Sequence, residues 1–128
     1  MVSNLLTDSE TKTVLIVDDE DDLSHLLECV LNDAGYSTSC AHNGAEALAY
    51  MKSELPDLIV SDLMMPVMSG VELCEVMSKS DTYLHIPIII LSSVSDLKIA
   101  DGCNYVGRFC KPFDLSSFLV TVESVIGH

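Results

Sequence analysis

Short apolar runs alternate along the chain with longer segments in which apolar residues recur every three or four positions. The short runs are rich in Val and Ile and predict β-strands, whereas the longer segments predict amphipathic helices. Strands are predicted over residues 13–17, 36–41, 57–61, 86–91 and 105–110, and helices over residues 23–34, 44–51, 70–78 and 95–100 and from residue 114 onward. Alternating strands and helices predict an α/β fold, a doubly wound parallel sheet with helices on both faces.

Residues with capping chemistry support these helix boundaries. Asn43 and Ser69 are predicted N-caps because their short polar side chains accept hydrogen bonds from the first free backbone N–H groups of a helix. Gly35 is placed to end the first helix. The predicted helix over residues 95–100 is short, with scarcely two turns.

The composition is typical of one folded domain. The chain has 128 residues, of which 48% are hydrophobic, and 6 basic against 20 acidic residues give a net charge of −14. We expect a flexible N-terminal lead-in over residues 1–12 and a single domain over residues 13–128. The few, scattered basic residues argue against direct binding to nucleic acid. The longest apolar run, residues 86–91, is too short to cross a membrane.

The first residues lack the positive charge and long apolar stretch of a secretory signal, so the predicted location is cytoplasmic. The five cysteines form no C-x-x-C pair and suit reduced thiols better than a disulfide framework. We interpret them as small core hydrophobes.

Charged and polar residues follow several of the predicted strands directly. Asp18 and Asp19 end the first strand, Asp62 the third, Ser92 the fourth and Lys111 the fifth. The carboxyl ends of parallel strands share one edge of the sheet, where ligands bind in such folds. Converging carboxylates there need a cation, and Mg²⁺ prefers oxygen ligands. The pattern predicts phosphoryl chemistry with Asp62 as the nucleophile.

The sequence resembles the receiver domain of bacterial response regulators in two-component signalling over residues 14–126. The resemblance lies in six stretches: VLIVDDE at residues 14–20, GY at 35–36, NGAEAL at 43–48, PDLIVSDLMMPVMSGVEL at 56–73, IPIIILSS at 86–93 and KPF at 111–113. It implies a flavodoxin-like (βα)5 fold with strand order 2-1-3-4-5, here with a shortened fourth helix.

The resemblance also implies a role for each residue at the predicted edge. Asp62 accepts a phosphoryl group from a phosphohistidine of a sensor histidine kinase or a histidine phosphotransfer protein. Mg²⁺ is bound by Asp19 and Asp62, by Asp18 directly or through water, and by the backbone carbonyl of Met64. Ser92 donates its hydroxyl to the phosphoryl group. Lys111 pairs with the phosphate, and the Lys111–Pro112 bond is expected to be cis. A homodimer on phosphorylation and an unknown downstream protein are further expected partners.

Two other functions compete with this prediction. A receiver-like docking domain would bind partners without being phosphorylated, but the complete set of acidic, hydroxyl and lysine residues speaks against it. A Mg²⁺-dependent phosphohydrolase with an aspartyl nucleophile needs a second Asp two positions after the first, where this chain has Met64. The expected protein promotes only its own phosphorylation and dephosphorylation and is otherwise no enzyme.

The chain departs from the family between Ser92 and Lys111. The distance of 111 − 92 = 19 positions is a few residues shorter than usual in the family. Arg108 stands three positions before the lysine, where family members usually carry a Tyr or Phe whose rotation reports phosphorylation. We hypothesise that phosphorylation acts here through Ser92 and the following loop, with Arg108 available for an acidic partner.

Overall fold

The computed structural model describes residues 11–93 and 105–127. Its five strands form one parallel sheet in the order β2-β1-β3-β4-β5, which confirms the predicted fold. The strands are β1 (Thr13–Val17), β2 (Ser37–Ala41), β3 (Leu58–Asp62), β4 (Ile88–Ser92) and β5 (Gly107–Cys110). The helices are α1 (Asp21–Asp33), α2 (Gly44–Met51), α3 (Gly70–Ser78) and α4 (Leu115–Ile126). The predicted helix over residues 95–100 and residues 1–10 of the predicted lead-in lie outside the described residues.

Alternating side chains of the central strands pack into two separate cores, one on each face of the sheet. Ile59 and Ile90 lie on the first face, against α2 and α3. Val60 and Leu91 lie on the second face, against α1 and α4. Every residue of β3 and β4 is buried, whereas the edge strands β2 and β5 are mostly half-buried or exposed. The continuous apolar runs at β3 and β4 follow from this two-sided burial.

The predicted helix caps are present. The Asn43 side chain accepts a hydrogen bond from the N–H of Glu46, and the Ser69 side chain accepts one from the N–H of Glu72. Glu72 also accepts from the Ser69 N–H, which completes a capping box. Each such cap stabilises its helix by about 1 kcal/mol. Both capped helices start at the carboxyl edge of the sheet, so the caps also order the loops around that edge.

The cysteine interpretation is wrong in two respects. Cys29, Cys40 and Cys110 are exposed free thiols rather than core residues. Cys74 is buried in the core as predicted, but it is disulfide-bonded rather than reduced. The lack of a C-x-x-C pair excludes only pairing between near neighbours along the chain. Within the described residues, no helix is long and apolar enough to cross a membrane.

Candidate functional site

The carboxyl ends of β1 and β3 bring two carboxylates into one buried position. These strands are direct neighbours, with Val17 paired to Ser61, so the residue that follows β1 lies beside the last residue of β3. Asp18 is 1% exposed and Asp62 is 7% exposed. Asp18 Oδ1 accepts a hydrogen bond of 2.8 Å from the Glu20 N–H. The Asp62 carboxylate accepts one from the backbone of Met64.

The ammonium of Lys111 is the counter-charge of this acidic pair. Its Nζ lies 2.8 Å from Glu20 Oε1 and 3.3 Å from both Asp18 Oδ2 and Asp62 Oδ2. Lys111 follows β5 directly, and its N–H donates to the Ser92 carbonyl over 2.7 Å. The Lys111–Pro112 bond is cis, as the resemblance implied. The lysine therefore reaches across β4 to the acidic pair from a turn that is tied to the end of β4.

The pKa shifts in this group reflect burial and charge together. Burial raises the pKa of Asp18, although the Glu20 N–H and Lys111 oppose that change. Burial and the nearby charge of Asp18 raise the pKa of Asp62. Burial by itself works against a charged Lys111, but the hydrogen bond to Glu20 and the charges of Asp18 and Asp62 outweigh it and raise the pKa of Lys111. The lysine is therefore charged at neutral pH and the two aspartates bind protons more readily than free carboxylates.

Ser92 ends the next strand at the same edge. The strand pairing places Leu91 opposite Asp62, so Ser92 lies one position beyond the level of the acidic pair. Ser92 is fully buried, and its Oγ has no hydrogen-bond partner among the residues that the structure describes. A buried hydroxyl without a partner is uncommon in proteins, and it offers both a donor and an acceptor to a ligand.

The loop after Asp62 packs tightly against the strand that carries it. The Gly70 N–H donates to the Leu63 carbonyl over 2.8 Å, and a Cβ at Gly70 would clash with the Asp62 carbonyl oxygen. Only glycine fits here. The Met68 N–H donates to the Pro66 carbonyl around Val67, which has φ of 67° and is 83% exposed. A positive φ at a β-branched residue is strained, and such strain persists only where the surrounding structure holds the backbone in place.

The structure brings together most of the residues that the sequence singled out. Asp18, Asp62 and Lys111 are in contact, and Ser92 ends the adjacent strand. Asp19 is exposed and lies outside the acidic cluster. Met64 also has an exposed side chain.

Glu20 is the residue that sequence reasoning missed. One carboxylate oxygen from each of Asp18, Glu20 and Asp62 lies within 4.8 Å of the others, the one potential metal-binding group found among the described residues. The only indication in the sequence was the position of Glu20 in the acidic run of residues 18–22. Such a run is also typical of an ordinary helix start.

Comparison with known proteins decides the family. The family model described as the response regulator receiver domain matches residues 14–123. The chain belongs to this family. It is a receiver domain of the two-component regulatory systems, and its acidic cluster fits Mg²⁺ binding and a phosphorylation site. Receiver domains are in general signalling modules rather than enzymes of metabolism.

Three relatives illustrate the range of the family. The chain is 34% identical to the sporulation initiation phosphotransferase F of Bacillus subtilis over 116 residues, which cover 88% of this chain and 92% of that protein. It is 36% identical to the DNA-binding transcriptional regulator NtrC of Escherichia coli over 118 residues, 90% of this chain but only 25% of NtrC. The chemotaxis response regulator CheY4 of Vibrio cholerae has 33% identity and a TM-score of 0.82, and 90% of this chain and 98% of CheY4 are covered. The chain thus spans a quarter of the length of NtrC.

Proposed function

We propose that this receiver domain accepts a phosphoryl group on Asp62 from a phosphohistidine of a sensor histidine kinase or a histidine phosphotransfer protein. The observation that carries the proposal is the nearly buried Asp62 carboxylate with the Lys111 ammonium 3.3 Å away. The relative of B. subtilis is named a phosphotransferase, which agrees with a place in a phosphorelay. The protein then signals by a change of conformation.

The chain's own residues support each part of the transfer. An Asp62 oxygen attacks the phosphorus, the bond between phosphorus and the donor imidazole nitrogen breaks, and the electron pair of that bond leaves with the imidazole. Lys111 neutralises charge on the phosphoryl oxygens. The buried Ser92 hydroxyl has no partner among the described residues and can donate to one of those oxygens. Such transfer depends mainly on positioning and electrostatics.

Mg²⁺ fits the donor set at this edge because the cluster offers only hard carboxylate oxygens. Asp18 and Asp62 belong both to this cluster and to the predicted ligand set, which Asp19 and the Met64 carbonyl complete. When bound, Mg²⁺ neutralises negative charge on the transferring group. Lys111 contacts the same carboxylates and supplies positive charge beside them.

A groove beside the site supports docking of a helical phosphodonor. It has a volume of about 440 Å³, opens between the start of α1 and the turn before α4, and is lined by Glu20, Leu23, Leu26, Lys111, Pro112, Phe113 and Leu115. Leu26 is 46% exposed, so the groove presents apolar surface next to the reacting carboxylate. We propose that the kinase or phosphotransfer protein binds here. Homodimer formation on phosphorylation, the downstream partner and the cytoplasmic location stay predictions.

The test is to incubate the protein with Mg²⁺ and acetyl phosphate and to measure its intact mass. We expect one added phosphoryl group that requires Mg²⁺ and that is absent from the Asp62→Asn variant. The variant Asp57→Asn is a matched control, because Asp57 hydrogen-bonds the start of β1 at the opposite edge of the sheet. It should gain the phosphoryl group normally.

The competing function is a docking domain that acts without phosphorylation. The absence of any adduct on the wild-type protein, with no spectral change on adding Mg²⁺, would overturn the phosphorylation proposal in its favour. Repeated turnover of acetyl phosphate, without accumulation of the adduct, would instead indicate a phosphohydrolase. We expect only the protein's own phosphorylation and dephosphorylation.

A further inference from the structure

Arg108 is the only arginine of the chain, and part of its guanidinium group is buried. It lies on the edge strand β5, yet its Nε and Nη2 atoms are buried and have no hydrogen-bond partner among the described residues. Buried polar groups in proteins are nearly always paired, and charged ones most of all. Among the residues that the structure describes, Arg108 therefore has buried donors without acceptors.

The Ser92 Oγ is a second buried group without a partner in the described part of the chain, and both side chains project from the same face of the sheet. Ile90 pairs with Arg108 and Ser92 pairs with Cys110. Side chains alternate along a strand, and those of paired residues in neighbouring parallel strands project to the same side. Ile90 belongs to the core on the side of α2 and α3, so Ser92 and Arg108 also belong to that side. Phe109, between Arg108 and Cys110, packs on the opposite side.

The two groups are close enough to meet by a change of side-chain rotamer. Ser92 and Arg108 lie on adjacent strands and are offset by two residues, which places their Cα atoms roughly 8 Å apart for standard strand spacing and rise. An extended arginine covers most of this distance, because long side chains reach diagonal neighbours in a sheet. Arginine is only a donor and a serine oxygen has two acceptor sites, so their chemistry is complementary.

We propose that Arg108 positions the Ser92 hydroxyl for the phosphoryl group on Asp62, an inference that rests on the proposed phosphorylation. The Ser92 O–H donates to a phosphoryl oxygen, and the Ser92 Oγ accepts a hydrogen bond from the Arg108 guanidinium. Each hydrogen bond polarises the next, so the arginine charge acts on the phosphoryl group through the hydroxyl. The guanidinium becomes paired only when the phosphoryl group orients Ser92.

The charges at this edge of the sheet support such a role. Phosphorylation adds negative charge beside Asp18 and Glu20, where Lys111 already contacts three carboxylates. Arg108 brings a further positive charge from the opposite side of Ser92. Arg108 is thus a positioning residue that acts through Ser92 and does not itself touch the reacting atoms.

The first test is spectroscopic. A single arginine gives a single side-chain Nε–Hε signal in a ¹H–¹⁵N spectrum, so the signal needs no assignment. We expect it to move downfield when beryllofluoride and Mg²⁺, which mimic the phosphoryl group, bind the wild-type protein. In the Ser92→Ala variant the signal should stay in place. A signal that does not move in the wild type, or that moves equally in the variant, overturns the proposal.

The second test is a double-mutant cycle on the rate of phosphorylation by acetyl phosphate. Arg108→Met should slow formation of the adduct about tenfold, the size of one positioning hydrogen bond. Arg108→Lys should recover part of the rate. In the Ser92→Ala background the change Arg108→Met should have less than about a twofold effect. Lys52→Met removes the same charge from an exposed position and should leave the rate unchanged.

The outcomes separate this inference from the proposed function. An equal effect of Arg108→Met with and without Ser92 would show that only its charge acts, and a normal rate in Arg108→Met would show no role in phosphorylation. Either result overturns the inference and leaves the phosphorylation of Asp62 standing. A wild-type protein that gains no phosphoryl group overturns both. The melting temperature of each variant establishes that it is folded.

Discussion

The two halves of the carboxyl edge of the sheet differ in whether their buried polar groups have partners. At β1 and β3, the buried carboxylates of Asp18 and Asp62 each lie 3.3 Å from the Lys111 ammonium. At β4 and β5, the buried Ser92 Oγ and the Arg108 Nε and Nη2 have no partner within the part of the chain that the structure describes. The first half is assembled before any ligand arrives. The second half has hydrogen bonds still to gain, so it is the half that a ligand can rearrange.

The largest expected effect is on the first half, at Gly70. The change Gly70→Ala places a Cβ directly against the Asp62 carbonyl oxygen, so the backbone around the site must shift. We expect a loss of about 3 kcal/mol in the free energy of unfolding, as for severe overpacking, and no detectable phosphorylation. Urea unfolding and intact mass measure the two effects.

Gly107→Ala is the control in the second half. A Cβ there would lie 3.2 Å from the Thr121 side chain. A side chain can shift by a few tenths of an ångström more easily than the backbone that a Cβ at Gly70 would meet. The expected cost is below about 1 kcal/mol. Equal costs for the two glycine variants would contradict the view that the loop after Asp62 is the tightly packed half.

The second prediction compares the half-buried cations Lys111 and Arg108 directly. Lys111→Met leaves Asp18 and Asp62 without their counter-charge, and the Lys111 side chain is 22% exposed. We expect a loss of about 2 kcal/mol, below the usual cost of breaking a fully buried pair. Arg108→Met removes unpaired donors and should be neutral or stabilising by about 1 kcal/mol. A destabilised Arg108→Met protein in urea unfolding at pH 7 would mean that the guanidinium is paired in solution.

The third prediction concerns the pH dependence of the acidic half. The pKa of Asp62 is raised by burial and by Asp18, so the folded state holds its proton more tightly than the unfolded state. Stability is therefore lost as the pH rises through this pKa. In buffer without metal, Asp62→Asn should therefore be more stable than the wild type at pH 7. The difference should shrink as the pH falls toward the ordinary carboxyl value of 3.8.

Urea unfolding at several pH values between 4.5 and 8 checks this prediction. The sign of the stability difference between Asp62→Asn and the wild type shows whether repulsion and burial or the attraction of Lys111 dominates at Asp62. A variant less stable than the wild type at pH 7 would mean that the attraction of Lys111 outweighs burial and the charge of Asp18. Addition of Mg²⁺ should reverse the order, because the ion stabilises only the protein that binds it.

The smallest expected effect is at the exposed rim of the acidic half. His42 Nδ1 and Nε2 each lie 3.1 Å from a carboxylate, of Glu46 and Asp21 respectively. Hydrogen bonding to Glu46 is the main cause that raises the pKa of His42 above 6.5, and Asp21 contributes less. These ion pairs are present at low pH and are lost as the pH rises through the raised pKa. Glu46→Gln should lower the pKa of His42 more than Asp21→Asn does, as measured by NMR titration of the imidazole.

The strands and capped helices could be predicted because their causes are local. The apolar run around β4 and the capping residues Asn43 and Ser69 produce their structures from side chains a few positions apart. The boundaries of β4 and β5 were less exact. The structure has Ile88–Ser92 and Gly107–Cys110, because pairing with the neighbouring strand decides where a strand ends.

The sequence predicted that acidic residues and Lys111 meet at one edge of the sheet, but it did not single out Glu20. Asp62 and Lys111 are 49 positions apart, yet the order of strands in a parallel sheet brought them together in the prediction as in the structure. The acidic run at residues 18–22 did not reveal which side chains turn inward. The pairing of β1 with β3 buries Asp18 beside Asp62, and the turn from β1 into α1 leaves Asp19 exposed and brings Glu20 to Lys111.

The sequence by itself determined the fold and the phosphoacceptor candidate, because periodic apolar runs and residues at strand ends suffice for these. The family followed from the resemblance of its motif stretches to receiver domains. The tertiary structure decided which polar atoms are satisfied. It pairs Lys111 with three carboxylates, disulfide-bonds Cys74, and leaves Ser92 and Arg108 without partners among the described residues. Burial and hydrogen bonding depend on contacts between distant segments, which no spacing along one chain can show.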